Sequence, residues 1–157
     1  MMEAIQQRLR AQVPALRLVA GAGEYAALQQ LPPSEKMPAA YVLPMDDTGR
    51  PNGLASALVR QQVERRITIV LMTRNLRDSR GENAAEQLEP LLAAIRANLV
   101  GWTPVLAAQP AQGAQMINPE AMEFRRGRLI GIDEGVLSWS EEYACSAVLR
   151  VSFSGVP

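Results

Sequence analysis

The segment Gly81 to Val100, GENAAEQLEPLLAAIRANLV, constrains the fold most, because it carries the one long and clean helical periodicity in the chain. Leu88, Leu91, Leu92, Ile95 and Leu99 recur at three- and four-residue spacing and form one apolar stripe on a 3.6-residue period, so another layer must cover them. Glu82, Glu86 and Glu89 lie toward the start, Arg96 lies near the end, and Gly101 follows as a stop, which suits the helix dipole. Pro90 is discordant. Inside a helix it removes a hydrogen bond and clashes one turn back, which predicts a kink, with a helix starting near Glu89 as the alternative.

The remaining elements are mostly strands. Val63 to Thr73 alternates, with Val63, Arg65, Ile67, Ile69, Leu71 and Thr73 on one face and Glu64, Arg66, Thr68, Val70 and Met72 on the other. Its second half is apolar on both faces, as a central strand requires. Leu137 to Phe153 alternates over an even longer stretch, and Glu141 interrupts its apolar face. A bulge at Ser140 to Glu142 is expected to turn that carboxylate outward. Before them, Glu3 to Gln12 reads as a short N-terminal helix ended by Pro14, Leu16 to Ala20 as a strand, and Glu24 to Leu31 as a helical turn. Pro38 to Met45 reads as a strand near an edge, because Pro44 cannot donate to a ladder.

Asp46 to Gly53, Arg74 to Arg80 and Gln109 to Pro119 read as surface loops, and Val105 to Ala107 as a short strand. Met122 to Arg126 and Arg128 to Ile132 flank Gly127 and are expected to pair as a small hairpin. Asp133, Glu134 and Gly135 supply a turn before the last strand. The pattern predicts a single α+β domain over 1–157. A mixed, mainly antiparallel sheet has the long helix packed across one face and the short N-terminal helix nearby. Leu88, Leu92, Ile95, Leu99, Ile67, Ile69, Leu71, Trp139, Leu149 and Val151 are expected to be buried together.

Composition narrows the chemistry. The 157 residues contain no histidine, which removes Ser/His and Cys/His catalysis and histidine metal ligation. Cys145 is the single cysteine, placed on the apolar face of an alternating strand, where a thiol is packing. The adjacent pairs Asp46 and Asp47, Asp133 and Glu134, and Glu141 and Glu142 read as turns or solvated faces and suggest no metal cage. GAGEYA and GIDEG lack the context of a dinucleotide site, and there is no P-loop. No cofactor or enzymatic activity is expected. Sixteen Lys and Arg balance sixteen Asp and Glu, so no net field draws the chain to DNA or an anionic membrane. The apolar runs are too short to cross a bilayer, and MMEAIQQRLRAQV lacks the apolar stretch of a secretory signal. Synthesis in a reducing cytoplasm is the expectation.

Four stretches in order, PAAYVLPM (Pro38 to Met45), VERRITIVLMTRN (Val63 to Asn75), LEPLLAAIRANLVGWTP (Leu88 to Pro104) and FRRGRLIGIDEGVLSWSEEYACSAVLR (Phe124 to Arg150), resemble the tail terminator proteins of Mu-like and lambda-like long-tailed phages and prophages. That resemblance implies a non-enzymatic virion protein at the tail end next to the neck. It implies a homo-hexameric ring that caps the tail tube protein, ends polymerisation and offers a surface to the head-tail connector. Genome DNA would pass through the ring without sequence-specific binding. The alternatives are another neck or tail-completion ring protein, or a cytoplasmic ligand-binding or enzymatic domain with a deep pocket of convergent carboxylates. Subunit-interface candidates are Glu64, Arg65, Arg66, Arg74, Glu141 and Glu142, the arginines pairing with Glu141 and Glu142 of a neighbour.

Overall fold

A computed structural model describes residues 1–28, 31–52, 59–74, 82–106 and 113–152. The elements are α1 (Met2–Gln12), β1 (Leu18–Ala20), α2 (Ala22–Ala26), a 3-10 turn (Ser34–Lys36), β2 (Ala39–Gly49), β3 (Val59–Arg74), α3 (Glu82–Leu99), β4 (Gly113–Ile117), β5 (Glu123–Asp133) and β6 (Val136–Ser152). One six-stranded sheet has the order β1-β2-β3-β6-β4, with β5 also on β6. The β1–β2 pair is parallel and every other pair is antiparallel, so the sheet is mixed and mainly antiparallel as the sequence predicts.

β3 and β6 form the spine. They pair without interruption from Val59 opposite Val151 to Arg74 opposite Val136. β6 is long enough for two partners on its other side: β5 pairs with it along Val136 to Ala144, and β4 along Val148 to Ser152.

Alternation along these strands sorts side chains into two layers. Ile67, Ile69 and Leu71 of β3, Leu137, Tyr143 and Cys145 of β6, and Ala40 and Val42 of β2 face α1 and α3. Ile5 and Leu9 of α1 and Leu88, Leu91, Leu92, Ile95 and Leu99 of α3 close that core. A smaller cluster on the opposite face joins Ala39, Tyr41, Val70, Met72 and Val136 to Tyr25 of α2.

α1 is also held by polar contacts. Arg8 Nε donates to the Asn98 carbonyl at 2.6 Å, in the last turn of α3, and its guanidinium lies 4.7 Å from the Trp102 ring centroid. Cations are favoured at a helix C-terminus, where the last carbonyls lack partners inside the helix. Gly101, at φ 79°, ends α3 in the left-handed conformation expected of a glycine stop.

The structure corrects several sequence expectations. α3 starts at Glu82 and runs through Pro90, so the start near Glu89 is set aside. Asp46 to Gly49 continue β2 beyond a register shift at Met45, so the turn begins later than expected. Among the described residues, β2 is interior only where β1 covers Ala39 to Tyr41, and its outer side beyond them has no strand partner.

Met122 to Ile132 is no hairpin: Glu123–Asp133 is one strand. Gly127 is small for a packing reason, since a Cβ there would come within 3.0 Å of the Trp139 ring. The real turn is Glu134 and Gly135, both at positive φ (47° and 74°), as a two-residue type I′ hairpin requires.

Gly113–Ile117 forms β4, inside a stretch expected to be loop, while Val105 and Leu106 lie outside any strand. Of the residues expected in the core, Leu149 and Val151 are only half-buried, and Trp139 is likewise partly buried, packing against the main core. The expected loop at 75–80 lies outside the described residues.

Candidate functional site

Four of the six candidate residues lie in two polar clusters, and an open edge is the third feature of the surface. The first cluster lies on the helix face. Glu141 stays on the apolar side of β6, without a bulge in its pairing to β3, and is 1% exposed. Arg96, one turn from the end of α3, supplies the countercharge: its Nε and one Nη donate to Oε1 at 2.8 and 2.5 Å. The Tyr143 hydroxyl donates to Oε2 at 2.5 Å. Burial, reinforced by this carboxylate, pushes the Tyr143 phenol well above its ordinary pKa. Arg96 also lies 4.9 Å from the Phe124 ring, which packs edge-on against Tyr143. The predicted outward turn of Glu141 is therefore replaced by an inward ion pair. The register shifts occur on β5 instead, between Phe124 and Arg126 and between Leu129 and Gly131.

The second cluster lies on the opposite face. Glu64, Arg66, Arg125, Arg126 and Glu142 line an open depression of about 440 Å³. Arg66 Nε meets Glu64 at 3.0 Å, Arg125 meets the other Glu64 oxygen at 2.7 Å, and Arg126 meets Glu142 at 2.6 Å. The hydrogen bond from Arg66, with Arg125 nearby, holds the Glu64 carboxyl below its usual range. A depressed carboxylate of this kind is a salt-bridge member, not a proton donor.

Of the six residues singled out in sequence, Glu64, Arg66 and Glu142 come together here. Arg65 points to the other face and makes a bidentate pair with Asp47, at 2.7 and 2.5 Å. Arg74 is at the far end of β3, opposite Val136. Glu141 is on the helix face with Arg96. The partners Asp46, Asp47, Arg96, Arg125 and Arg126 escaped sequence reasoning. The two aspartates read in sequence as a turn, and the arginines pair across strands or layers that sequence spacing does not relate.

The Cys145 thiol approaches the Glu120 carbonyl at 3.2 Å, and burial raises its pKa, which keeps it an unreactive packing group. Among the described residues, no group of three or more Cys, Asp or Glu is placed to hold a metal ion. No helix among them is long and apolar enough to cross a membrane.

The third feature is the rim of the sheet. Among the described residues, β5 has β6 on one side and no strand on the other. Among the described residues seven large apolar side chains are exposed, and four of them, Phe124, Leu129, Ile130 and Ile132, belong to β5. Such an edge invites another chain.

Comparison with known proteins gives a family match and a structural likeness. The sequence matches the family model described as phage tail terminator protein over residues 1–152, which takes in every element of the fold. A search of curated proteins finds no match. A solved structure titled as the virion of a native gene transfer agent particle contains a chain similar to this one, with a TM-score of 0.54 and 15% identity over 94% of each chain. At that identity the likeness is one of fold.

Proposed function

This chain belongs to the phage tail terminator family, and on that footing we propose that it closes the head-proximal end of a phage tail tube as a hexameric ring. It is a structural protein of a phage-like tail, associated with other proteins of the particle. In the proposed role six copies stop addition of the tail tube protein and present a surface to the head-tail connector. Assembly takes place in the host cytoplasm, and the genome passes through the ring without base-specific contact. The observation that carries the reading is the family match across the whole described fold. Two features of the molecule support it. Glu64, Arg66, Arg125, Arg126 and Glu142 form mutual pairs, which suits contact better than reaction chemistry, and among the described residues the outer sides of β5 and of β2 beyond β1 carry no strand and are open to another subunit.

The test is tail length. Particles assembled without this protein should carry tubes of variable and excessive length and few joined heads, and supplying the protein should restore one length. Tubes of uniform parental length in its absence would reject the reading.

A further inference from the structure

We infer that neighbouring copies join edge to edge, the outer side of β5 in one copy meeting the outer side of β2 in the next. This contact rests on the ring reading and specifies its interface. Four observations on the molecule lead to it.

First, the two edges are complementary in apolar surface. β5 offers Leu129, Ile130 and Ile132, each about half exposed. On β2, beyond the residues covered by β1, Met45 is 47% exposed, and with Met2 and Pro44 it lines a depression of about 360 Å³.

Second, they are complementary in charge. β5 carries Arg125, Arg126 and Arg128, all exposed, while the β2 edge carries Asp46 and Asp47, also exposed; within one copy Arg125 and Arg126 pair with Glu64 and Glu142, and Asp46 and Asp47 with Arg66 and Arg65, so a neighbour would share these pairs rather than neutralise bare charge.

Third, the strand directions fit. β2, β3, β6 and β5 are successively antiparallel, so β5 runs opposite to β2. Copies related by rotation about a ring axis keep the same polarity, and β5 of one then meets β2 of the next in the antiparallel sense, the more stable pairing. Two different edges make a heterologous contact, which generates a ring when the rotation closes.

Fourth, both edges are blunted against open-ended addition. β5 changes register near Arg125 and Ile130, β2 changes register at Met45, and Pro44 has no N–H to donate. Only a short ladder fits, with side chains supplying the rest of the contact.

The experiment uses the full chain assembled on tail tubes that lack it. Ile130→Cys is combined with Met45→Cys or Thr48→Cys in one polypeptide, and the assemblies are oxidised. At least one pair should give a non-reducing gel ladder rising to six chains, while each variant with one introduced cysteine beside the buried Cys145 stays at one. Ile130→Asp should melt like the parent, because the side chain is exposed. It should bind tubes up to about tenfold more weakly, since the half of the isoleucine still exposed is worth about 1 kcal/mol on burial and each 1.4 kcal/mol is tenfold. Sixfold rings with no ladder and with unimpaired assembly of Ile130→Asp would overturn the edge contact and leave the ring reading standing. Parent assemblies without sixfold rings would overturn both.

Discussion

Replacing Ile95 by Asp is expected to abolish cooperative folding. Ile95 is 1% exposed and packs in the main core with the other stripe residues of α3 and the inner face of β3 and β6. The substitution removes about 1.5–3 kcal/mol of apolar burial and leaves a carboxylate with no partner in the layer. Losses beyond about 4 kcal/mol are rare and come from faults of this type, and a domain has only about 5–15 kcal/mol in total. Circular dichroism should show no sharp thermal transition. A melt at the parental temperature would mean that α3 does not cover the sheet as described.

The second large effect belongs to Arg96. Arg96→Met deletes the countercharge of Glu141 while preserving most of the side chain's volume. Breaking a fully buried pair costs about 3–5 kcal/mol. The Arg96 side chain is 38% exposed, so solvent moderates the loss, and about 2–3 kcal/mol is expected. For a chain of this size that lowers Tm by about 5–10 °C. The double variant Arg96→Met, Glu141→Gln should recover most of the loss, because the amide oxygen can still accept from Tyr143 and no charge is stranded. Equal melting of the single and double variants would show that Glu141 does not depend on Arg96.

α3, β3 and β6 were legible because each repeats one period over many residues, and a strong period leaves one face that must be covered. The Glu134–Gly135 turn was legible for a different reason: two adjacent residues at positive φ favour that chemistry. β5 was misread because Gly127 looks like a turn former, whereas its lack of a side chain makes room for the Trp139 ring two positions along the partner strand. β4 has weak propensity of its own and forms against the distal half of β6, a ladder that no local pattern reveals.

Glu141 was expected to leave the apolar face because an isolated charge there is costly. Arg96, forty-five residues earlier in the chain, reverses that conclusion by arriving from a different layer. The charged candidates suffered in the same way: Glu64, Arg66 and Glu142 could be assigned to one face by alternation, but Arg125 and Arg126 depend on the β5–β6 register, and Asp46 and Asp47 on how far β2 extends.

In the proposed role this chain ends a tail tube as a ring of six. Electron cryo-microscopy of the head-proximal tail end, reconstructed without imposed symmetry, tests it most directly. The expected density is a single ring of six copies of this chain in direct contact with the last layer of tube, with β5 and β2 of adjacent copies side by side. A tail end that lacks the chain, or that holds it in any number other than six, would contradict it.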